Sequence, residues 1–172
     1  KSGRYERMRE VAREYGFIIS LGGDLWVQRM SNGYILLADD NATDAELTIR
    51  ALEVGGVGEQ VVWVQDGEAA LQFVFRKGVY AQRPPGNPCV MLLDLNMPKV
   101  DGLEVLAQIK GDPRTRSTPV IIMSSSDQES DMMRSYAAYA NRYIVKPIDF
   151  KQFTEQVALL GQYWTRINRA GP

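Results

Sequence analysis

Histidine is missing altogether: none of the 172 residues is a histidine. That excludes Ser-His-Asp and Cys-His catalysis, imidazole metal ligands and any phosphohistidine carried by the chain itself. Cysteine is nearly missing as well. Cys89 stands alone, so there is no internal disulfide and no multi-cysteine zinc site, a usage that fits a reducing compartment. No apolar run approaches the roughly 18–20 residues of a membrane span, and Phe17–Leu21 is too short for the core of a secretion signal. The expectation is a cytoplasmic protein that contacts no membrane. Charge of one sign is not in excess either. Lys and Arg number 20 against 21 Asp and Glu, a net charge of -1, which leaves no general basic field for nucleic acid.

What is present is ordinary for a globular chain, with 45% hydrophobic and 24% charged residues. A chain of this length buries about 70% of its unfolded surface around one core. From Tyr34 onward, short apolar runs alternate with helical patterns, the sign of a parallel sheet covered by helices. The strands are predicted at Tyr34–Ala38, Val61–Val64, Val90–Asp94, Val120–Met123 and Tyr143–Val145. The helices are predicted at Thr43–Val54, after the turn Asp66-Gly67 through about Arg76, at Gly102–Lys110, from Asp127 to about Tyr139, and from Phe150 to about Arg169. In the first helix Leu47, Ile49, Ala51, Leu52 and Val54 are read as mostly inward, with Gly55-Gly56 as its stop. In the last, Phe150, Phe153, Val157, Leu160, Trp164 and Ile167 form one apolar stripe. Ser126 through Glu129 reads as a capping box, and Gly78–Pro88 as a polar, proline-rich loop.

Residues 1–31 stand outside this alternation as an N-terminal extension. Tyr5–Tyr15 has a helical face, and Gly22-Gly23-Asp24 suits a hairpin turn between two apolar runs. Met30-Ser-Asn-Gly33 has the form of a translation start. Residues 1–29 are therefore read either as an upstream segment without chemistry or as an element ordered against something else. Residues 32–172 form the main domain, ending in a long helix.

The polar residues just past the strands carry the chemistry. In a doubly wound parallel sheet of order 2-1-3-4-5, the crevice opens at the carboxyl ends of strands 1 and 3. That order gathers Asp39 and Asp40, Asp94, Ser124 and Lys146 in one pocket. Clustered carboxylates repel one another and raise each other's pKa unless a cation intervenes. Hard oxygen ligands with open positions suit Mg²⁺. A carboxylate beside such a cation and a lysine is equipped to attack phosphorus, and the chemistry suggested is an aspartyl phosphate. Taken singly, each residue has a plainer reading: loop acids before a helix for Asp39 and Asp40, turn residues for Asp94 and Ser124, a core aromatic for Tyr143, a surface lysine for Lys146. Gly55-Gly-Val-Gly58 lacks the Gly-Lys-Ser/Thr of a phosphate loop, and Asp94-Leu-Asn96 lacks the terminal Glu of a calcium loop.

Five motifs in order then resemble one family. Ile35-Leu-Leu-Ala-Asp-Asp40, Met91-Leu-Leu-Asp-Leu-Asn-Met-Pro98 with Asp101-Gly102, Pro119-Val-Ile-Ile-Met-Ser124 and Tyr143-Ile-Val-Lys-Pro147 resemble the receiver domain of two-component response regulators. The long segment before Asp94 and the last helix bearing Trp164 are most similar to the single-domain regulators associated with phytochromes. The resemblance implies an α/β, flavodoxin-like, five-stranded parallel sheet with helices on both faces. It implies that Asp94 accepts a phosphoryl group from a sensor histidine kinase, one of phytochrome type in the sub-family. Asp40, Asp94 and the backbone carbonyl of Asn96 would ligate Mg²⁺, with Asp39 acting largely through water. Lys146 and Ser124 would bond the phosphoryl oxygens, and Tyr143 would turn inward as Ser124 moves. The Lys146–Pro147 peptide would be cis. Such a chain is a phosphoacceptor switch rather than an enzyme. Its output is expected through protein contact, with a homodimer formed on the helix 4, strand 5 and helix 5 face, where Tyr136, Tyr139, Tyr163 and Trp164 are candidate contacts, and without direct DNA binding. Two other readings stay open: a receiver-like interaction module that does not signal, and a Mg²⁺-dependent phosphatase. Such phosphatases usually need a second acid where Asn96 stands.

Overall fold

The computed structural model of the chain describes residues 33–146 and 149–169. The expected helix and hairpin of residues 1–31 and the Lys146–Pro147 peptide lie outside the described residues. Among the described residues there are five parallel strands: β1 (Ile35–Ala38), β2 (Val61–Val64), β3 (Val90–Leu93), β4 (Val120–Ser124) and β5 (Arg142–Val145). Their order in the sheet is β2-β1-β3-β4-β5, the doubly wound arrangement expected from the alternation. The helices between them are α1 (Ala42–Val54), α2 (Gly67–Val74), α3 (Gly102–Gly111), α4 (Glu129–Ala137) and α5 (Phe150–Gln162). Among the described residues, no helix is long and apolar enough to cross a membrane.

Strand composition sets this order. The central strands β1, β3 and β4 are buried along their whole length, which is why they read as unbroken apolar runs. The outer strand β2 alternates in burial, and in β5 only Ile144 is fully buried, as befits edge strands. Alternate residues of each strand serve two cores. Ile35, Leu37, Val90, Leu92, Ile121, Met123 and Ile144 pack under α1 and α5. Leu36, Ala38, Met91, Leu93, Val120 and Ile122 pack under α2 and α3. Each fully buried Leu or Ile contributes about 2 kcal/mol of apolar transfer. Helix α5 lies so close to α1 that a Cβ on Gly161 would come within 2.6 Å of Leu52.

The helix ends differ from the periodic reading. Val54 is 73% exposed, because it lies on the side of α1 opposite the buried Ala45, Ile49 and Leu52. Phe150 and Ile167, the two ends of the predicted stripe, are exposed, while Phe153 and Val157 between them are buried. The α-helix stops at Gln162 and widens to a π turn over Tyr163–Ile167. The capping box at Ser126 is not formed. Helix α4 starts at Glu129, and the Ser126 hydroxyl instead donates to Asp131 (2.6 Å) while accepting from the Gln128 N–H (3.3 Å).

The segment 78–88 is more ordered than its composition suggests, and Arg83 is the reason. This arginine is 1% exposed. Its guanidinium donates to the carbonyls of Phe73 (2.6 Å) and Val74 (3.1 Å), closing the end of α2, and to those of Pro84 (2.8 Å) and Gly86 (3.1 Å). It also lies over the Phe73 ring, 4.6 Å from the centroid. Carbonyl dipoles, rather than a carboxylate, satisfy the charge. Arg83→Met keeps the bulk but removes the donor to all four carbonyls, so unfolding free energy should fall by about 3 kcal/mol. Arg76→Met gives up one bond, to the Arg83 carbonyl, and should cost under about 1 kcal/mol. Urea denaturation of both variants checks this; equal small losses would show that the guanidinium does not fasten the segment.

Candidate functional site

Pleat and register build the site before any side chain acts. Ala38 pairs with Leu93 across β1 and β3, so the residues that follow, Asp39 and Asp94, emerge side by side. The ladder continues past the strand ends. Asp39 N–H donates to Val64 (3.1 Å), Asp94 N–H to Ala38 (3.0 Å) and Lys146 N–H to Ser124 (2.7 Å). Counting alternate residues from Ile35, Val90 and Ile144 puts Asp39, Asp94 and Lys146 on one face of the sheet, the face covered by α1 and α5.

The ammonium of Lys146 is the meeting point. It donates to Asp39 Oδ2 at 2.8 Å, Asp94 Oδ2 at 3.0 Å and Asp44 Oδ2 at 3.1 Å. The Lys146 side chain is only 8% exposed. Asp39 and Asp94 are buried, whereas Asp40 faces solvent. Backbone donors hold the other oxygens: Asn41 N–H to Asp39 Oδ1 (2.9 Å) and Asn96 N–H to Asp94 Oδ1 (3.2 Å). The Asn41 side chain then caps α1, accepting from Thr43 and Asp44. The Trp63 indole donates to the Asp39 carbonyl at 2.9 Å, tying β2 to the same point. A Cβ on Gly102 would collide with the Asp94 carbonyl, so only glycine lets α3 start this close to it.

Electrostatics follow from this crowding. Burial pushes Asp39 up to about 6, against the pull of the Lys146 ammonium and with a push from Asp94. Burial alone would lower Lys146, yet the Asp39 and Asp94 carboxylates outweigh it and hold the ammonium above its ordinary value. One ammonium thus faces Asp39, Asp44 and Asp94, with Asp40 adjacent. Carboxylate oxygens of Asp39, Asp40 and Asp94 lie within 4.8 Å of one another. Surplus negative charge, hard oxygen donors and an exposed side open to water fit a divalent cation.

The remaining sequence candidates sit on the other side of the strand ends. Ser124 is fully buried, and its Oγ accepts from the Ser126 N–H at 3.2 Å. Among the described residues, no hydrogen bond joins its side chain to Asp94 or Lys146. Tyr143 points inward, donating from its hydroxyl to the Ser126 carbonyl (2.8 Å), and its N–H donates to the Tyr136 hydroxyl (3.2 Å). The Asn96 side chain is exposed beside the site. Tyr136, Tyr139 and Tyr163 are exposed, while Trp164 packs partly against the α1–α5 core. Sequence reasoning missed Asp44 and Trp63. The signal for Asp44 was its place three residues after the cap Asn41, in the first helical turn beside the strand ends.

Comparison with known proteins agrees with this geometry. Residues 35–158 match the family model of the response regulator receiver domain. FilR2 of Methanothrix harundinacea, a probable methanogenesis regulatory protein, is 38% identical over 139 residues, covering 80% of this chain and 88% of FilR2. Response regulator Rcp1 of Synechocystis is 35% identical over 130 residues, covering 76% and 87%. The crystal structure of the Mn²⁺-bound form of Rcp1 superposes with a TM-score of 0.73 at 32% identity, covering 81% of this chain and 99% of the other. That of the phosphorylated cyanobacterial phytochrome response regulator RcpA gives 0.73 at 36% identity, with 81% and 99% covered. A family-model match over most of the chain, carried on the same doubly wound sheet, makes this chain a member of the response regulator receiver domain family.

Proposed function

We propose that the chain is a phosphoacceptor switch in which Asp94 takes a phosphoryl group from a phosphohistidine on a sensor histidine kinase. The observation that carries this reading is the 3.0 Å contact of Lys146 Nζ with Asp94 Oδ2 beside the Asp39–Asp40–Asp94 carboxylates. A carboxylate oxygen of Asp94 attacks phosphorus in line; the P–O bond forms as the P–N bond of phosphohistidine breaks, and the electron pair leaves with the imidazole nitrogen. Lys146 orients Asp94 and offers its charge to the incoming oxygens. Mg²⁺ would be held by Asp40, Asp94 and the Asn96 carbonyl, with Asp39 acting through water. When bound, it compensates charge on the phosphoryl oxygens.

Ser124 and Tyr143 transmit the change. Both converge on Ser126, Ser124 through the N–H and Tyr143 through the carbonyl. Drawing the Ser124 hydroxyl toward a phosphoryl oxygen frees the Ser126 N–H, and the loop before α4 can then rearrange. The face formed by α4, β5 and α5 carries exposed Met133, Tyr136, Tyr139, Leu159 and Tyr163; it serves a second copy of the chain, and output runs through protein contact. The likeness to RcpA supports a phytochrome-type kinase as the donor.

Incubation with acetyl phosphate and Mg²⁺, or with a purified phytochrome-type kinase, should label the protein and double its mass in size-exclusion chromatography. Asp94→Asn should not label. Lys146→Met should label at least about a hundredfold more slowly while binding Mg²⁺ no less tightly, because it removes a positive charge from the carboxylates. Equal labelling of the Asp94→Asn protein would end the reading.

Metal binding should depend on pH in a fixed direction. The folded, metal-free protein holds the Asp39 proton more tightly than the unfolded chain does, since its pKa is raised from 3.8 to about 6. This group therefore favours folding most at low pH, and that contribution is lost as pH rises through about 6. Mg²⁺ must displace that proton, so it should raise the melting temperature more at about pH 7.5 than at about pH 5.5. Thermal melts with and without Mg²⁺ test this; a pH-independent gain would put the cation away from Asp39.

A further inference from the structure

The ammonium of Lys146 has three N–H donors, and all three are in use. Two go to buried carboxylates, Asp39 Oδ2 (2.8 Å) and Asp94 Oδ2 (3.0 Å); the third goes to Asp44 Oδ2 (3.1 Å). A phosphoryl oxygen arriving on Asp94 can be served by Lys146 only if one of these partners lets go. The three differ in what letting go costs. The Asp39 side chain is 2% exposed and would be left as a buried charge with one donor fewer, while Asp94, 8% exposed, loses its charge on acylation but keeps a buried carbonyl oxygen that still needs a donor. The Asp44 side chain is 35% exposed and can exchange the ammonium for water. It also stands in the first turn of α1, where the helix dipole favours a carboxylate. Its oxygen is outside the Asp39–Asp40–Asp94 group that could hold a cation, so it does not duplicate that task.

We propose that Asp44 is a positioning residue: it keeps the third donor of Lys146 aimed into the pocket until a phosphoryl group takes that donor over. The inference rests on Asp94 as phosphoacceptor and adds a competitor to it. Asp44 is placed for the task by a short relay, Asp39 Oδ1 holding the Asn41 N–H and Asn41 Oδ1 holding the Asp44 N–H. The carboxylate sets how readily Lys146 changes partner. While it holds the ammonium, it opposes the phosphorylated state twice: it occupies the donor, and its negative charge repels the phosphoryl group.

Titration of the full chain with fluoroberyllate at saturating Mg²⁺, followed by ¹⁹F NMR, tests this. Asp44→Asn, with Asp44→Ala as a second variant, should bind the phosphoryl mimic about fivefold more tightly than the parent, the gap between a charged and a neutral acceptor. Glu46→Gln removes the same unit of charge from α1 but pairs with Arg50, not Lys146; its affinity should equal the parent's. Affinity unchanged or weakened in both Asp44 variants would overturn the inference while leaving the phosphoacceptor reading intact, and an equal gain in Glu46→Gln would reduce it to general charge. If the parent itself fails to bind fluoroberyllate, both readings fall.

Discussion

An ammonium with little access to water holds the top of this sheet together. Lys146 comes from the end of β5, Asp39 from β1 and Asp94 from β3, so the ion pairs close across three strands and reach Asp44 on α1. Burial works against the charges of Asp39 and Lys146, raising the one and pulling down on the other. The cluster stands because each charge has partners: the sheet backbone fixes where the side chains start, and Asn41 and Asn96 N–H groups satisfy the oxygens that Lys146 does not. Removing Lys146 would strand the buried charges of Asp39 and Asp94, and adding a phosphoryl group or a cation would force a new sharing of the same few donors.

The two faces of the sheet divide the labour. The carboxylates and Lys146 sit on the α1–α5 side, while Ser124 and Tyr143 follow the alternate residues of β4 and β5 to the other side and meet at Ser126. The far flank is fastened differently, by Arg83 and its carbonyls, which closes the end of α2. On the proposed reading, the rearrangement that phosphorylation brings would fall on the α4 side. Helix α4 is suited to it, since Ser135 is its one buried residue.

Much of this was legible in the sequence, because β1, β3 and β4 are buried on both sides and so read as plain apolar runs. A strand-end rule then sufficed to name Asp39, Asp40, Asp94 and Lys146. What stayed hidden depends on three-dimensional direction rather than on pattern. Asp44 reads as one of many first-turn acids until β5 brings Lys146 against it. Arg83 pairs with carbonyls, which leave no mark in composition. Phe150 keeps the helical period but sits in the first turn of α5, Ile167 falls in the π turn, and Val54 lies across α1 from Ala45, Ile49 and Leu52, so the apolar pattern alone placed them inside. Ser126 has the spacing of a capping box, but Asp131 and the Gln128 N–H claim its hydroxyl first.

On the proposed reading, the carboxylate that touches Lys146 from β3 is the one that becomes an acyl phosphate. Borohydride reduction of phosphodonor-treated protein converts an aspartyl phosphate to homoserine, and peptide mass spectrometry then locates it. Homoserine at position 94, in Mg²⁺-dependent yield, is the predicted result. Homoserine at 39 or 40, or none at any aspartate of a folded, metal-loaded protein, would contradict it.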